Sequence, residues 1–198
     1  MLPKSIEELI LALRLFPGIG EKTANRLAFF LLKKPVEIRQ KISSAILKAE
    51  ENLKKCQICG NLSDQNFCQI CQNPNRNKKI ICVVEDFLDL LAIEKTKTFR
   101  GTFHILGGAI SPADSIGPND LQIKNLINRI KNQQTSELIL ATNPNFEGEA
   151  TAYFIFKQCQ KFTDLKITRL ARGIPVGGDV EYTDQNTLSR AIENRSNF

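Results

Sequence analysis

At 198 residues and 42% hydrophobic positions, the chain has room for one large domain or two to three small modules with real cores. No run approaches the length of a membrane span, and Glu7 and Glu8 interrupt the apolar stretch near Met1, so that stretch does not read as a signal peptide; the expected location is the cytoplasm. The net charge of +6 is uneven: residues 1–55 hold 11 Lys/Arg against 6 Asp/Glu, while residues 81–198 hold 13 against 14, so a polyanion partner is expected for the N-terminal part.

Ile6, Leu9, Ile10 and Leu13 recur at helical spacing and stop at Pro17-Gly18-Ile19-Gly20. A second helix starts near Glu21, with Ala24, Leu27, Ala28 and Leu31 on one face and Lys22, Arg26 and Lys33 on the other. Pro35 ends it, and a third helix over about 36–53 carries Ile38, Ile42, Ile46 and Leu53. The hairpin Pro17–Gly20 resembles the helix-hairpin-helix element of DNA-repair proteins. Its glycines let backbone approach a phosphate, and the helix opening at Glu21 offers unpaired N–H groups. A P-loop does not fit, because the G-x-x-x-x-G-K-[ST] spacing is wrong and a helix precedes it. The plainer alternative is an αα-hairpin with a solvated basic face.

Next come Cys56-Gln-Ile-Cys59 and Cys68-Gln-Ile-Cys71, two C-x-x-C pairs eight residues apart. Four thiolates close all tetrahedral positions of one zinc ion, so the site is structural and leaves no position for substrate. Gly60 follows the first pair, where a turn back toward the metal needs positive φ. The short span between the pairs has no apolar core, so metal binding supplies its folding energy.

After the turn-rich Asn73-Pro74-Asn75-Arg76-Asn77, strand and helix alternate. Ile80–Val84 is a continuous apolar run, as a strand buried on both faces requires. Helices are predicted at about 86–95, 119–132 and 147–161, and strands at 102–106, 138–141 and 166–170. This rhythm means a parallel sheet flanked by helices. Glu85 and Asp89 follow the first of these strands, and Asn143-Pro144-Asn145-Phe146-Glu147-Gly148-Glu149 follows strand 138–141, both at carboxyl ends where open α/β sheets bind ligands. The arrangement looks like a Toprim domain, in which a Glu and an Asp-x-Asp hold magnesium. Here Asn143 and Asn145 stand at the Asp-x-Asp positions, which removes two anionic ligands and argues against tight magnesium. His104, Cys82 and Cys159 read as core residues.

Helix-hairpin-helix, four-cysteine module and degenerate Toprim, in this order, resemble the bacterial RecR family of recombination mediators along essentially the whole chain. The fold class is therefore multi-module α plus α/β: helix-hairpin-helix at 1–55, zinc finger at 56–71, Toprim domain at 79–174 and a C-terminal segment at 175–198. The resemblance implies no catalytic residue and a ring-like homotetramer paired through its N-terminal regions and the C-terminal segment. It also implies sequence-independent binding of single- and double-stranded DNA, and a nucleoid-associated life in the cytoplasm. RecO and RecF are the implied partners in loading RecA onto single-stranded gaps. By the same resemblance Gly18, Gly20, Lys22 and Arg26 contact DNA, and Glu85, Asp89, Glu147 and Glu149 form a partner-binding acidic surface. The 173–182 stretch has been likened to a Walker B element. Two other classes stay open at this point: a metal-dependent Toprim nuclease and a generic zinc-ribbon protein that binds nucleic acid.

Overall fold

A computed structural model describes residues 2–195 and divides the chain into two compact units, residues 1–53 and 54–198. In the first unit, helices α1 (Lys4–Leu13) and α2 (Glu21–Leu32) pack as a hairpin. Ala24 and Ala28 are fully buried against Ile10, with Ile6, Leu9, Leu13 and Ile19 around them. Two alanines on one face let the helix axes come close. The turn between the helices needs Gly18 at φ +79°, where an L side chain is strained. Lys33 is the C-cap of α2 but keeps right-handed helical dihedrals, and with Arg26 it lines one shallow surface depression.

Helix α3 (Val36–Asn52) behaves differently. Its apolar residues Ile38, Ile42 and Ile46 share one face, yet they remain 43%, 41% and 62% exposed. Leu15, Phe16 and Phe30 are also exposed, so the first unit leaves considerable apolar surface without cover.

The second unit begins with a two-stranded ribbon, β1 (Lys54–Lys55) against β2 (Leu62–Ser63), followed by the single turn α4 (Gln69–Gln72). These elements are too short to show periodicity, so no sequence pattern announces them. Then comes a four-stranded parallel sheet in the order β4-β3-β5-β6, formed by β3 (Ile80–Val84), β4 (Thr102–Ile105), β5 (Glu137–Leu140) and β6 (Lys166–Arg169). Ile81 and Val83 join the core cluster with Leu126, Ile130, Ala152 and Ile155, while Cys82 and Val84 join Leu90, Phe103 and Ile105 on the opposite face. Burial on both faces is why this strand reads as an unbroken apolar run.

The connecting helices are α5 (Phe87–Lys95), α6 (Ile123–Gln133) and α7 (Phe146–Cys159), with α8 (Gln185–Glu193) near the end. Helix α6 starts four residues later than its pattern predicts, because Gln122 N–H is spent on Leu106 O, 2.9 Å away, pinning the loop to the end of β4. Helix α8 is amphipathic but exposed, and it has no counterpart among the elements predicted from sequence. No helix among the described residues is long and apolar enough to cross a membrane.

Candidate functional site

The four cysteines of the C-x-x-C pairs converge. Their sulfurs all lie within 4.8 Å of one another, and all four side chains are buried. A tetrahedral tetrathiolate zinc places sulfurs roughly 3.8 Å apart, given Zn–S bonds of about 2.3 Å; the 3.5 Å between Cys59 Sγ and Cys68 Sγ matches that spacing. The local chain is folded for the purpose. Gly60 sits at φ +77° and donates to Cys56 O at 2.9 Å, turning the first knuckle, and Cys56 N–H donates to Asn61 O at 2.7 Å. Cys68 N–H donates to Cys56 Sγ at 3.3 Å, so backbone from one pair supports a sulfur of the other. A Cβ on Gly60 would lie 3.1 Å from Ile105 O, so glycine also permits close seating against β4.

Without a cation these sulfurs cannot all ionise. The hydrogen bond shared with Cys68, together with burial, pushes the Cys59 thiol far above its ordinary range, and that bond draws Cys68 down. The donor set thus fits a divalent, thiophilic metal. Cys82 and Cys159 differ: burial pushes them up to about 12 and about 11, outweighing the opposing charge of Lys161 at Cys159, which leaves them inert core thiols.

At the carboxyl end of the sheet the predicted acidic residues do not form one open cluster. Glu85, only 9% exposed, receives Asn143 N–H on Oε1 at 2.8 Å and Asn143 Nδ2–H on Oε2 at 2.6 Å. An aspartate at 143 would have no side-chain proton to give. Asn145 caps α7, its Oδ1 accepting from Gly148 N–H at 2.8 Å. Gly148 is obligatory, because a Cβ there would lie 2.1 Å from Asn143 O. Asp89 is spent in a capping box: its carboxylate accepts from Asp86 N–H at 3.0 Å, and Asp86 accepts from Leu88 and Asp89 N–H. Glu149 accepts from Arg169 at 2.7 Å and is also bridged by Arg172. Burial works against its ionisation, but the two arginines outweigh it and hold its carboxyl below the usual range. Glu147, half-buried in the first turn of α7, has no side-chain ion pair or hydrogen bond among the described residues. The sequence points to the acids but not to Arg169 and Arg172, which lie on and just beyond a strand where nothing in the pattern indicates a carboxylate partner.

His104 is buried on β4, as expected. Its Nε2–H donates to Gln122 O at 2.9 Å, and burial lowers its pKa to about 4, so it is a neutral core residue. In the first unit Gly18, Gly20, Lys22 and Arg26 are arranged around and just after the α1–α2 turn: the glycines and Lys22 are exposed, and Arg26 lies one turn further along α2. Gly20 is the N-cap of α2 with no side-chain cap, which leaves first-turn N–H groups free beside Lys22.

The comparisons follow the same layout. Residues 6–50 match the RecR helix-hairpin-helix, 53–73 the RecR four-cysteine zinc finger domain, 79–171 a Toprim domain and 173–196 the RecR C-terminal region. The chain is 48% identical over 193 residues to the "Recombination protein RecR" of Moorella thermoacetica, covering 98% of this chain and 96% of that protein. Cys56, Cys59, Cys68 and Cys71 hold one structural zinc. A helix-hairpin-helix, a four-cysteine centre and a Toprim sheet whose acid positions are internally bonded, together with this identity along the full length, place the chain in the RecR family of recombination proteins.

Proposed function

We propose that this chain is a non-catalytic recombination mediator that binds single- and double-stranded DNA without reading sequence and works with RecO and RecF to load RecA onto single-stranded gaps. The observation that carries the non-catalytic part is the Glu85–Asn143 pair. The carboxylate that a Toprim enzyme offers to magnesium already holds an N–H donor of the facing loop on each of its two oxygens. A magnesium-dependent cleavage assay tests this: turnover abolished by Glu85→Gln would revive the nuclease reading.

DNA contact is assigned to the exposed hairpin, with Gly18 and Gly20 letting backbone approach phosphate and Lys22 and Arg26 supplying charge. Such contacts grip without specifying bases. Lys22→Ala with Arg26→Ala should weaken binding to every sequence alike and flatten the slope of log affinity against log salt, by about 0.7 to 0.9 per lost contact. Unchanged affinity in the double variant would make the hairpin a mere structural turn. The exposed stripe Ile38, Ile42 and Ile46 supports self-association through the first unit, in keeping with a ring-like tetramer completed by residues 175–198. Glu85, Asp89 and Glu149 make internal bonds, so the proposed acidic partner surface centres on Glu147. Mass in solution, alone and mixed with RecO and DNA, tests the assembly. The cytoplasm, about the nucleoid, is the location this role requires.

A further inference from the structure

Helix α6 carries a buried cation with no anionic partner. Arg129 is 7% exposed, and its guanidinium donates to Phe103 O at 2.6 Å, to Thr102 Oγ1 at 2.8 Å and, through Nε, to Gln133 Oε1 at 3.0 Å. All three acceptors are neutral. Among the described residues no carboxylate forms an ion pair with it. An arginine stays protonated in a protein, and a buried charge without a counter-charge is strongly disfavoured. Hydrogen bonds to neutral groups satisfy its protons but leave its charge unbalanced.

The missing anion is found along the strand edge. Strand β4 borders β3 on one side only, and its other edge is free of strands. On that free edge Phe103 O accepts from Arg129, and two positions on Ile105 N–H donates to Cys59 O at 2.8 Å. At ~3.3 Å rise per residue, the backbone points that hold the guanidinium and the zinc knuckle are about two residue steps apart on the same edge. Four thiolates around Zn²⁺ carry a net charge of minus two, and all four sulfur-bearing side chains are buried with little water to screen them. Lys54 and Lys55, the cations next in sequence to Cys56, are exposed to solvent.

We infer that Arg129 is the counter-ion of the zinc centre, balancing part of the dianionic cluster and tying metal occupancy to the packing of α6 on the face of the sheet. Electrostatics runs the same way: burial bears against the charged guanidinium, while each of the four cysteines, Cys71 most, acts to keep it charged. The inference rests on the zinc site and not on any role in recombination.

Competition between the full chain and a chromogenic zinc chelator tests it. Arg129→Gln, which keeps an N–H donor but no charge, should weaken zinc affinity about 10- to 100-fold, the range for supporting groups around a metal. Arg129→Lys, which keeps the charge and loses the fork, should stay within a few-fold of the parent. In a Cys71→His background the cluster carries one negative charge fewer, so the Arg129→Gln penalty should shrink. Equal losses for Gln and Lys, or a penalty undiminished in the histidine background, would reduce Arg129 to a hydrogen-bonding brace and overturn the proposal. Should Arg129→Gln not fold, the parent still answers. Stripping its zinc should lower hydrogen-exchange protection at α6 amides 129–133 as well as at 54–73, and loss confined to 54–73 would overturn the coupling.

Discussion

The zinc centre and the Toprim loops are both sets of ligand-type side chains brought together by short turns, and they reach opposite ends. At the zinc centre four sulfurs face one point, and no donor set of their own could satisfy four thiolates. The Toprim loops have replaced carboxylates by amides. An amide both gives and accepts hydrogen bonds, so Asn143 satisfies Glu85 and Asn145 caps a helix. One site is incomplete without a metal, while the other is complete as a polypeptide. The identity of the residue type, acid or amide, decides which.

The largest effect should come from the incomplete site. Losing one thiolate in Cys59→Ser removes a ligand from a region whose only local core is the four cysteines with Ile58 and Ile70. Structural zinc contributes roughly 10 kcal/mol or more of apparent binding free energy in small zinc domains, most of it folding energy. Residues 54–73 should therefore lose amide protection and the protein its zinc. Metal analysis and hydrogen exchange on the purified variant measure both, and a fully protected, metal-free module would show that the fold stands without zinc.

A smaller effect is expected at the complete site. Asn143→Asp places a second carboxylate where an amide donor stood 2.6 Å from Glu85 Oε2. Losing that donor and adding a like charge should cost about 1 to 3 kcal/mol near neutral pH. The sign follows from the pair: facing carboxylates have folded pKa values raised above the unfolded ones, so the penalty is absent in acid and appears as pH rises through the unfolded values and beyond. Added magnesium should recover part of the loss. Denaturant unfolding at pH 4 and pH 7, with and without magnesium, reads it. A variant as stable as the parent at pH 7 without magnesium would mean that the amide is not what completes the site.

How much of this could be read from sequence follows from where each interaction lies along the chain. The zinc ligands were legible because their geometry is encoded in local spacing. The parallel sheet was legible because strands buried on both faces leave continuous apolar runs such as Ile80–Val84. The hairpin was legible through Pro17–Gly20. Pairings between residues far apart were not. Arg169 and Arg172 meet Glu149 across 20 and 23 positions, Asn143 meets Glu85 across 58, and Arg129 reaches Phe103 across 26. Such partners are chosen by topology, and no local period marks them. The acidic residues stand out in the sequence, but three of them are less free to attract a partner than their charge suggests, because internal hydrogen bonds already occupy them.

Glu149 offers a gentler test of the self-contained site. Its folded pKa is held low, so the Arg169 and Arg172 bridges contribute stability above the unfolded value near 4.5 and lose it as pH falls through the folded value. The carboxylate is one-third exposed, so screening limits the contribution to less than about 1 kcal/mol. Glu149→Gln should therefore narrow the stability difference between pH 7 and pH 3 by that amount. Thermal unfolding of both proteins across this range checks it, and parallel curves would mean the bridges add nothing.

The smallest expected change in stability, and the most telling for function, is at Glu147. It is the one acid of the four without an internal partner among the described residues, so it alone has charge to spare for another protein. Electrostatic complementarity of this kind sets encounter rate and partner choice more than fold. Glu147→Lys should leave zinc content and oligomer size unchanged. Stability should fall only a few tenths of a kcal/mol, from lost favourable interaction with the α7 dipole. Affinity for RecO should nonetheless weaken, with a reduced association rate at low salt. The same exchange at Asp89, already bound in its capping box, should cost fold stability first. Titrating RecO against the parent and both variants separates the two kinds of acid. Equal RecO affinity for the parent and Glu147→Lys would return Glu147 to the role of a helix-start charge, and the Toprim loops would then be complete in every respect.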